Sequence, residues 1–243
     1  MTDIELAAHL ADTAGSILRR VRDSRLFDED ALGRAGDQTA NEFLIHALRH
    51  HRPEDGLLSE ESKDTLERLG KSRVWIIDPV DGTREYSEGR SDWAVHVGLS
   101  IDGVATVGAV ALPGLAGGMV LRSDAISHPL SHEGLPRLVV SRTRPAAEAV
   151  SVAKRLGGAL LPMGSAGAKA MAVVRGEAEI YLHSGGQFEW DCCAPVAVAL
   201  AHGLHCSRLD GSPLIYNQRN TYMPDLLICR KDWKVKVIEA LRS

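Results

Sequence analysis

Apolar residues recur at three- and four-residue intervals from the start of the chain. Leu6, Leu10, Ala14, Ile17, Leu18 and Val21 share one face and predict an amphipathic helix over 3–22. Phe43, Leu44, Ala47 and Leu48 predict a second helix that starts near Asp37, with Asp37 as its cap. The pattern then changes period. Arg73-Val74-Trp75-Ile76-Ile77-Asp78 is a continuous apolar run ending in an acid and followed by Pro79, as expected of a buried strand that delivers a carboxylate at its C-terminal end. Two β-rich runs, 93–100 and 104–112, flank Asp102-Gly103, a strong hairpin signal, and a short strand at 118–122 follows.

Between 127 and 136 the composition shifts to two prolines, two serines, two histidines and a glycine, which places a boundary between an N-terminal part, 1–130, and a C-terminal part, 131–243. Beyond it, strands and helices alternate. Strand 137–141 leads to a helix from Pro145, a strand near Leu160, a helix over 165–175 and a strand over 179–182. A helix over 190–202, stopped by Gly203, then precedes a short strand, a strand over 226–229 and a last helix from Asp232. The chain therefore reads as an α+β half joined to an α/β half. It shows no internal repeat and no low-complexity segment.

Composition narrows the functional classes. A chain of 243 residues with 44% hydrophobic and 25% charged residues reads as a soluble globular protein with a sizeable core. Its formal net charge of −4 speaks against a nucleic-acid binder, which needs a basic face, but allows a small anionic substrate. The first residues lack a signal peptide's basic head and apolar stretch, and no apolar run approaches the ~20 residues that span a bilayer. Cys192, Cys193, Cys206 and Cys229 form no CxxC pair, so neither a zinc site nor a disulfide framework is expected. Reduced, mostly buried thiols and a cytoplasmic location follow.

The candidate chemistry is carried by acids. Asp78 and Asp81 flank Pro79-Val80 where a strand becomes a loop, so two carboxylates and the Val80 carbonyl can face one pocket, as hard cations require. Gly82 permits close backbone approach, and Thr83 opens a helix whose N-terminus favours phosphate. Leu57-Leu58-Ser59-Glu60-Glu61 is a second apolar run ending in acids, and Trp190-Asp191 opens an Ala/Val-rich helix. Each signal alone has a plain structural reading: a solvated turn, a strand end, a first-turn acid.

Taken together, Leu58-Ser59-Glu60-Glu61, Asp78-Pro79-Val80-Asp81-Gly82-Thr83 and Trp190-Asp191-Cys192-Cys193-Ala194 resemble, in order and spacing, the three signature segments of the inositol monophosphatase superfamily. The resemblance extends over nearly the whole chain. It implies a layered α-β-α-β-α sandwich of the inositol monophosphatase/fructose-1,6-bisphosphatase type and Mg²⁺-dependent phosphomonoester hydrolysis. Glu60, Asp78 and the Val80 carbonyl would hold one Mg²⁺; Asp78, Asp81 and Asp191 would hold a second; Glu60 would reach a weaker third through water. Asp37 and Thr83 match the pair that activates the attacking water, with Glu60 also in the catalytic set. The segment Arg34-Ala35-Gly36-Asp37 departs from the family's Thr-x-x-Asp form. Lithium inhibition is a further implication, and the resemblance leaves a homodimer open.

Within the superfamily, Gly164-Ser165-Ala166-Gly167-Ala168-Lys169 and Val140-Ser141-Arg142-Thr143-Arg144 are similar to the 3′(2′),5′-bisphosphate nucleotidase branch, which acts on adenosine 3′,5′-bisphosphate (PAP). The substrate set so implied comprises Asp81, Gly82, Thr83, Ser141, Arg142, Gly164, Ser165, Ala166, Lys169, His183 and Asp191. His183-Ser184-Gly185-Gly186 stands where inositol monophosphatases carry a glutamate that reads inositol hydroxyls. His96 reads as a satisfied core residue, and Trp75, Trp93 and Trp190 as core anchors. The competing readings are a broad inositol-1-phosphate and fructose 1,6-bisphosphate phosphatase, a histidinol-phosphate phosphatase, an oligonucleotide exonuclease, and a nucleotide sensor without catalysis.

Overall fold

The computed structural model describes residues 1–125 and 134–242, and among these it contains seven α-helices and ten strands. The N-terminal helix α1 (Asp3–Asp23) is closed by a capping box in which the Thr2 hydroxyl accepts from Glu5 N and Glu5 Oε2 accepts from Thr2 N. Helix α2 spans Glu29–His51. The expected start at Asp37 is incorrect: Asp28, whose carboxylate accepts from Ala31 N at 2.9 Å, is the cap. Asp37 sits in the third turn. Gly33 and Gly36 obscured the first two turns in the sequence, because glycine lowers helix propensity.

Strands β1 (Gly56–Ser59) and β2 (Arg73–Asp81) pair in parallel, the short helix α3 (Thr83–Ser87) follows, and β3 (Ala94–Ile101), β4 (Val104–Ala111) and β5 (Val120–Arg122) add antiparallel. These form one sheet in sequence order. The hairpin turn is at Asp102-Gly103, both in the left-handed region. The second half contributes β6 (Arg137–Ser141), α4 (Ala147–Leu156), β7 (Ala159–Met163), α5 (Ala166–Val174), β8 (Ile180–Phe188), α6 (Glu189–Ala201), β9 (His205–Ser207), β10 (Tyr222–Cys229) and α7 (Lys234–Arg242). Its sheet has the order β7-β6-β8-β10-β9, parallel across β7, β6 and β8 and antiparallel beyond. The boundary expected at 127–136 lies mostly outside the described residues.

Three apolar cores separate five layers. Helices α1 and α2 cover the outer face of the first sheet, α5 and α6 fill the space between the sheets, and α4 with α7 cover the outer face of the second. The architecture is thus an α-β-α-β-α sandwich. Strand β2 is buried on both faces, which is why its sequence is continuously apolar: Val74 and Ile76 enter the middle core, Trp75 and Ile77 the outer one. Helix α6 lies very close to the first sheet. It can do so because Gly98 and Gly108 are paired across β3 and β4 beneath it. A Cβ on Gly108 would come within 2.4 Å of the Ala194 carbonyl.

Gly108→Ala therefore overpacks the seam between α6 and the first sheet. We expect a loss of ~1–3 kcal/mol, read as a fall in Tm of roughly 2–4 °C per kcal/mol in a thermal melt. An unchanged Tm would show that α6 can shift away without cost.

Candidate metal centre and active site

In a regular strand, residues three apart face opposite sides. Asp78 and Asp81 escape this rule because the ladder slips. Asp78 pairs with His96 and Asp81 with Ala94, so two residues of β2, Pro79 and Val80, oppose the single Val95. This bulge brings both carboxylates to one side. Helix α6 delivers Asp191 from its first turn to the same place, and one oxygen from each of the three lies within 4.8 Å of the others. Asp78 and Asp81 are 1% and 5% exposed.

Each of the three has at least one oxygen oriented by the main chain. Asp78 Oδ1 accepts from Val80 N at 3.1 Å, and Asp191 Oδ2 from Phe188 N at 2.7 Å. Asp81 Oδ1 accepts from Ala166 N at 3.0 Å, while its Oδ2 takes Gly167 N and the Ser165 hydroxyl. Lone pairs on Asp78 Oδ2, Asp191 Oδ1 and Asp81 Oδ1 remain for a cation. All the donors are hard oxygens, the set that suits a divalent cation of the Mg²⁺ type. The residues present therefore fit such an ion.

The electrostatics point the same way. Burial, then Glu60 and Asp81, push Asp78 well above the carboxylate range. Burial and Asp81 raise Asp191 to about 7. Burial, then Asp191 and Glu61, raise Glu60 to about 8. Asp81 is the exception. Burial acts upward on it too, but His96, the Ser165 hydroxyl and Lys169 overcome that and bring it to about 2. Without added positive charge, this group of acids holds protons that carboxylates normally release.

Asp37 and Thr83 meet across the α2–α3 contact: Thr83 Oγ1 lies 3.2 Å from Asp37 Oδ1 and 3.1 Å from the Val80 carbonyl. Burial and Glu61 raise Asp37 to about 7, against the opposing hydrogen bond from Thr83. Gly82 holds φ +89°, a conformation glycine adopts without strain, and so turns β2 into α3. Gly164, Ser165 and Ala166 lie against this cluster at the start of α5, where Ser165 caps the helix through Ala168 N at 2.9 Å and donates to Asp81. Asp92 accepts from Gly164 N at 2.6 Å and holds the loop.

Other candidates are placed differently from a free binding group. Lys169 is buried and its ammonium donates to the Gly164 and Ser165 carbonyls, 5.5 Å from the Tyr181 ring centroid. Arg142 donates to Glu85 at 2.8 Å and to Glu88. The Ser141 hydroxyl accepts from Arg144 N at 3.2 Å. His183 Nε2 lies 2.8 Å from the Gly185 carbonyl, and burial together with Lys169 lowers its pKa.

His96 was not legible as a site residue. Its Nδ1 faces the Trp190 carbonyl at 3.0 Å, which can only accept, so Nδ1 carries a proton; Nε2 is 3.1 Å from Asp81 Oδ2. Burial opposes charge on the ring, but Asp81 prevails and its pKa rises. A Cβ on Gly167 would lie 2.0 Å from Nε2, so only glycine leaves room for this contact. In sequence, a histidine inside a buried strand has no periodic signature that separates it from core.

The inositol monophosphatase family model matches residues 2–243. The chain belongs to the inositol monophosphatase family. It is 50% identical to the 3′-phosphoadenosine 5′-phosphate phosphatase of Mycobacterium leprae, over 96% of this chain and 90% of that protein. It is 29% identical to the 3′(2′),5′-bisphosphate nucleotidase CysQ of Escherichia coli K12, over 78% and 81% of the two chains. Among solved structures, CysQ from Bacteroides thetaiotaomicron superposes with a TM-score of 0.82 at 22% identity, covering 94% of this chain and 97% of that one. An Anabaena inositol monophosphatase gives 0.78 at 23% identity, covering 98% and 94%. These structural likenesses fix the fold and leave chemistry to the site. Members of the family use divalent metals, and the acid cluster is suited to one.

The raised carboxylates make a pH prediction. With no cation, Asp37, Asp191 and Glu60 titrate at about 7, 7 and 8 in the folded chain, against ordinary values of 3.8, 3.8 and 4.5. The folded chain then binds protons that the unfolded chain has released, so stability falls as pH rises through that window. Asp81, lowered to about 2, acts in the opposite sense only below its ordinary 3.8. In EDTA, Tm should drop between pH 6 and pH 8.5, and a divalent cation should raise Tm more at pH 8.5 than at pH 6. Differential scanning fluorimetry at both pH values checks this; a pH-independent Tm in EDTA would contradict it.

Proposed function

We propose that this protein is a Mg²⁺-dependent phosphatase that removes the 3′-phosphate of adenosine 3′,5′-bisphosphate, giving AMP and phosphate. The observation that carries the chemistry is the convergence of Asp78, Asp81 and Asp191 within 4.8 Å beside the Thr83–Asp37 pair. The 50% identity to the mycobacterial relative carries the choice of substrate.

On this reading Glu60, Asp78 and the Val80 carbonyl would hold one Mg²⁺, Asp78, Asp81 and Asp191 would hold a second, and Glu60 would reach a third, weaker ion through water. When bound, the ions would polarise the phosphoryl oxygens, lower the pKa of the attacking water and stabilise the leaving oxygen. Asp37, raised to about 7, is poised to take a proton near neutral pH. Thr83 Oγ1 stands between, able to pass its own proton to Asp37 Oδ1 while accepting one from water. The oxygen of that water bonds to phosphorus as the bond from phosphorus to the ribose 3′-oxygen breaks, and the released oxygen takes a proton from solvent water to give the 3′-hydroxyl of AMP.

The second phosphate is assigned to the side of the pocket near His183 and Arg144 in the C-terminal half, 131–243, while the half 1–130 supplies most of the metal motifs. The stretch His183-Ser184-Gly185-Gly186, which lacks the carboxylate that reads inositol hydroxyls, fits a bisphosphate better than a polyol. Phe188, stacked on Trp190 at 4.9 Å and 37% exposed, offers a flat apolar surface near Asp191 for a base. We place the protein in the cytoplasm, where thiols such as the four free cysteines persist. No helix among the described residues is long and apolar enough to cross a membrane.

Phosphate release from PAP, inositol 1-phosphate and fructose 1,6-bisphosphate, with and without Mg²⁺, tests the reading. We expect strong, Mg²⁺-dependent preference for PAP; comparable rates on all three would replace it with a broad phosphatase. Asp78→Asn should lower kcat by more than ~100-fold in a folded protein, exceeding the usual cost of losing an outer contact to a metal ligand. Near-normal turnover in that variant would sink the assignment of Asp78 to both ions.

A further inference from the structure

Two residues before Asp191, Glu189 begins α6 with its carboxylate 1% exposed. It faces no metal ligand. Its oxygens accept instead from two consecutive main-chain amides, Asn217 N and Gln218 N, both at 2.7 Å. On the other side of that segment, Arg68 is 2% exposed. Its Nη1 donates to Asn217 Oδ1 at 2.7 Å and its Nη2 to the Gln218 carbonyl at 3.0 Å and Asp64 Oδ2 at 2.7 Å. Nε adds a second bond to Asp64, and Asn217 Nδ2 returns a bond to the Arg68 carbonyl at 3.1 Å. Asn217 holds φ +58°, where asparagine is one of the few non-glycine residues at ease.

Two buried charges of opposite sign are thus saturated on either side of a two-residue bracket. Such an arrangement is costly unless every bond is made, and its position gives it a consequence. Asp64 lies four residues after Glu60, on the loop that follows β1. Glu189 lies two residues before Asp191. No hydrogen bond to the Glu60 carboxylate is made among the described residues, so the place of Glu60 depends on how its loop is tethered. One tether is Asn41, which accepts from Ser59 Oγ at 2.7 Å and donates to Ser62 Oγ at 3.1 Å. Another is Asp64–Arg68, beside the main-chain bond of the Glu60 amide to the Ile77 carbonyl at 3.4 Å.

We propose that Glu189, Asn217 and Arg68 form a positioning clamp that fixes the Glu60 loop relative to the α6 N-terminus, and thereby sets the affinity of the site for divalent cations. The proposal rests on the reading of Glu60 and Asp191 as metal ligands. It adds residues distant in sequence that touch neither ion nor substrate. Mg²⁺ demands near-ideal octahedral geometry, so small displacements between ligand-bearing segments weaken binding steeply.

Two variants test it. Asn217→Gly keeps the left-handed backbone and removes the side-chain links to Arg68 and a longer one to the Lys71 carbonyl. Glu189→Gln keeps the volume but sets an amide donor against a main-chain donor. Mg²⁺ binding to the cation-free proteins is measured by isothermal titration calorimetry, together with the Mg²⁺-induced rise in Tm. We expect the Mg²⁺ Kd to weaken by ~10-fold or more in both, in line with other contacts that orient metal ligands. KM for the phosphate substrate at saturating Mg²⁺ should stay within about twofold of wild type, which a general loosening of the fold would not give. Folded variants with wild-type Mg²⁺ affinity would overturn the clamp, whatever their Tm. Should Glu189→Gln fail to fold, Asn217→Gly decides alone. A wild-type protein that binds no Mg²⁺ would overturn the metal reading and the clamp with it, an outcome distinct from normal wild-type binding with unaffected variants.

Discussion

Mutual repulsion among carboxylates is the constraint around which this protein is organised. Asp78, Asp81 and Asp191 come within 4.8 Å of one another where α6 and α5 press against the C-terminal end of β2, and the charges of Asp37 and Glu60, from two further segments, act on them. Little water reaches Asp78 or Asp81. A low-dielectric pocket strengthens every charge interaction in it, so the cluster opposes folding unless something answers its charge. His96 and Lys169 answer part of it: His96 Nε2 lies 3.1 Å from Asp81, and the Lys169 charge acts on Asp81 through space. That asymmetry separates the acids: one carboxylate is ionised by its surroundings, while its neighbours stay poised to exchange a proton for a cation.

The layers of the fold serve this seam. The bulge in β2 turns a three-residue spacing into a shared face, and Gly98 with Gly108 lets α6 approach closely enough for Asp191 to join. Gly167 opens α5 beside His96, so the amides at the start of that helix reach Asp81. Strain and buried charge here are offset by the apolar cores on either side, which hold the sheets rigid. The loop that carries Glu60 is tied down by the side chains of Asn41 and Arg68 as well as by its own amide on the Ile77 carbonyl, and Asp37, within α2, is met by Thr83.

The family relation and the geometry support different parts of the functional reading. The fold is shared by inositol monophosphatases and nucleotidases alike, so it does not choose a substrate. The choice rests on a closely similar relative and on the second half of the chain, where His183-Ser184-Gly185-Gly186 carries no carboxylate and the charges of Lys169 and Arg144 act on His183.

Much of this was determined by the sequence alone. Period-2 and period-3.6 patterning located nearly every element, since burial of one face dictates which positions are apolar. The motifs around Asp78 and Asp191 marked segments whose acids the fold brings within 4.8 Å of one another, the oxygen donors a hard cation needs. The start of α2 was misread, as an Asp in a glycine-containing helix resembles a cap when only local chemistry is visible. Lys169 and Arg142 read as binding groups, yet their charges are spent on the Gly164–Ser165 carbonyls and on Glu85 and Glu88. His96 beside Asp81, and Arg68 against Asn217 and Glu189, were decided by tertiary structure. These contacts join residues from distant parts of the chain, and no local pattern records which buried polar groups will meet once the sheets and helices close.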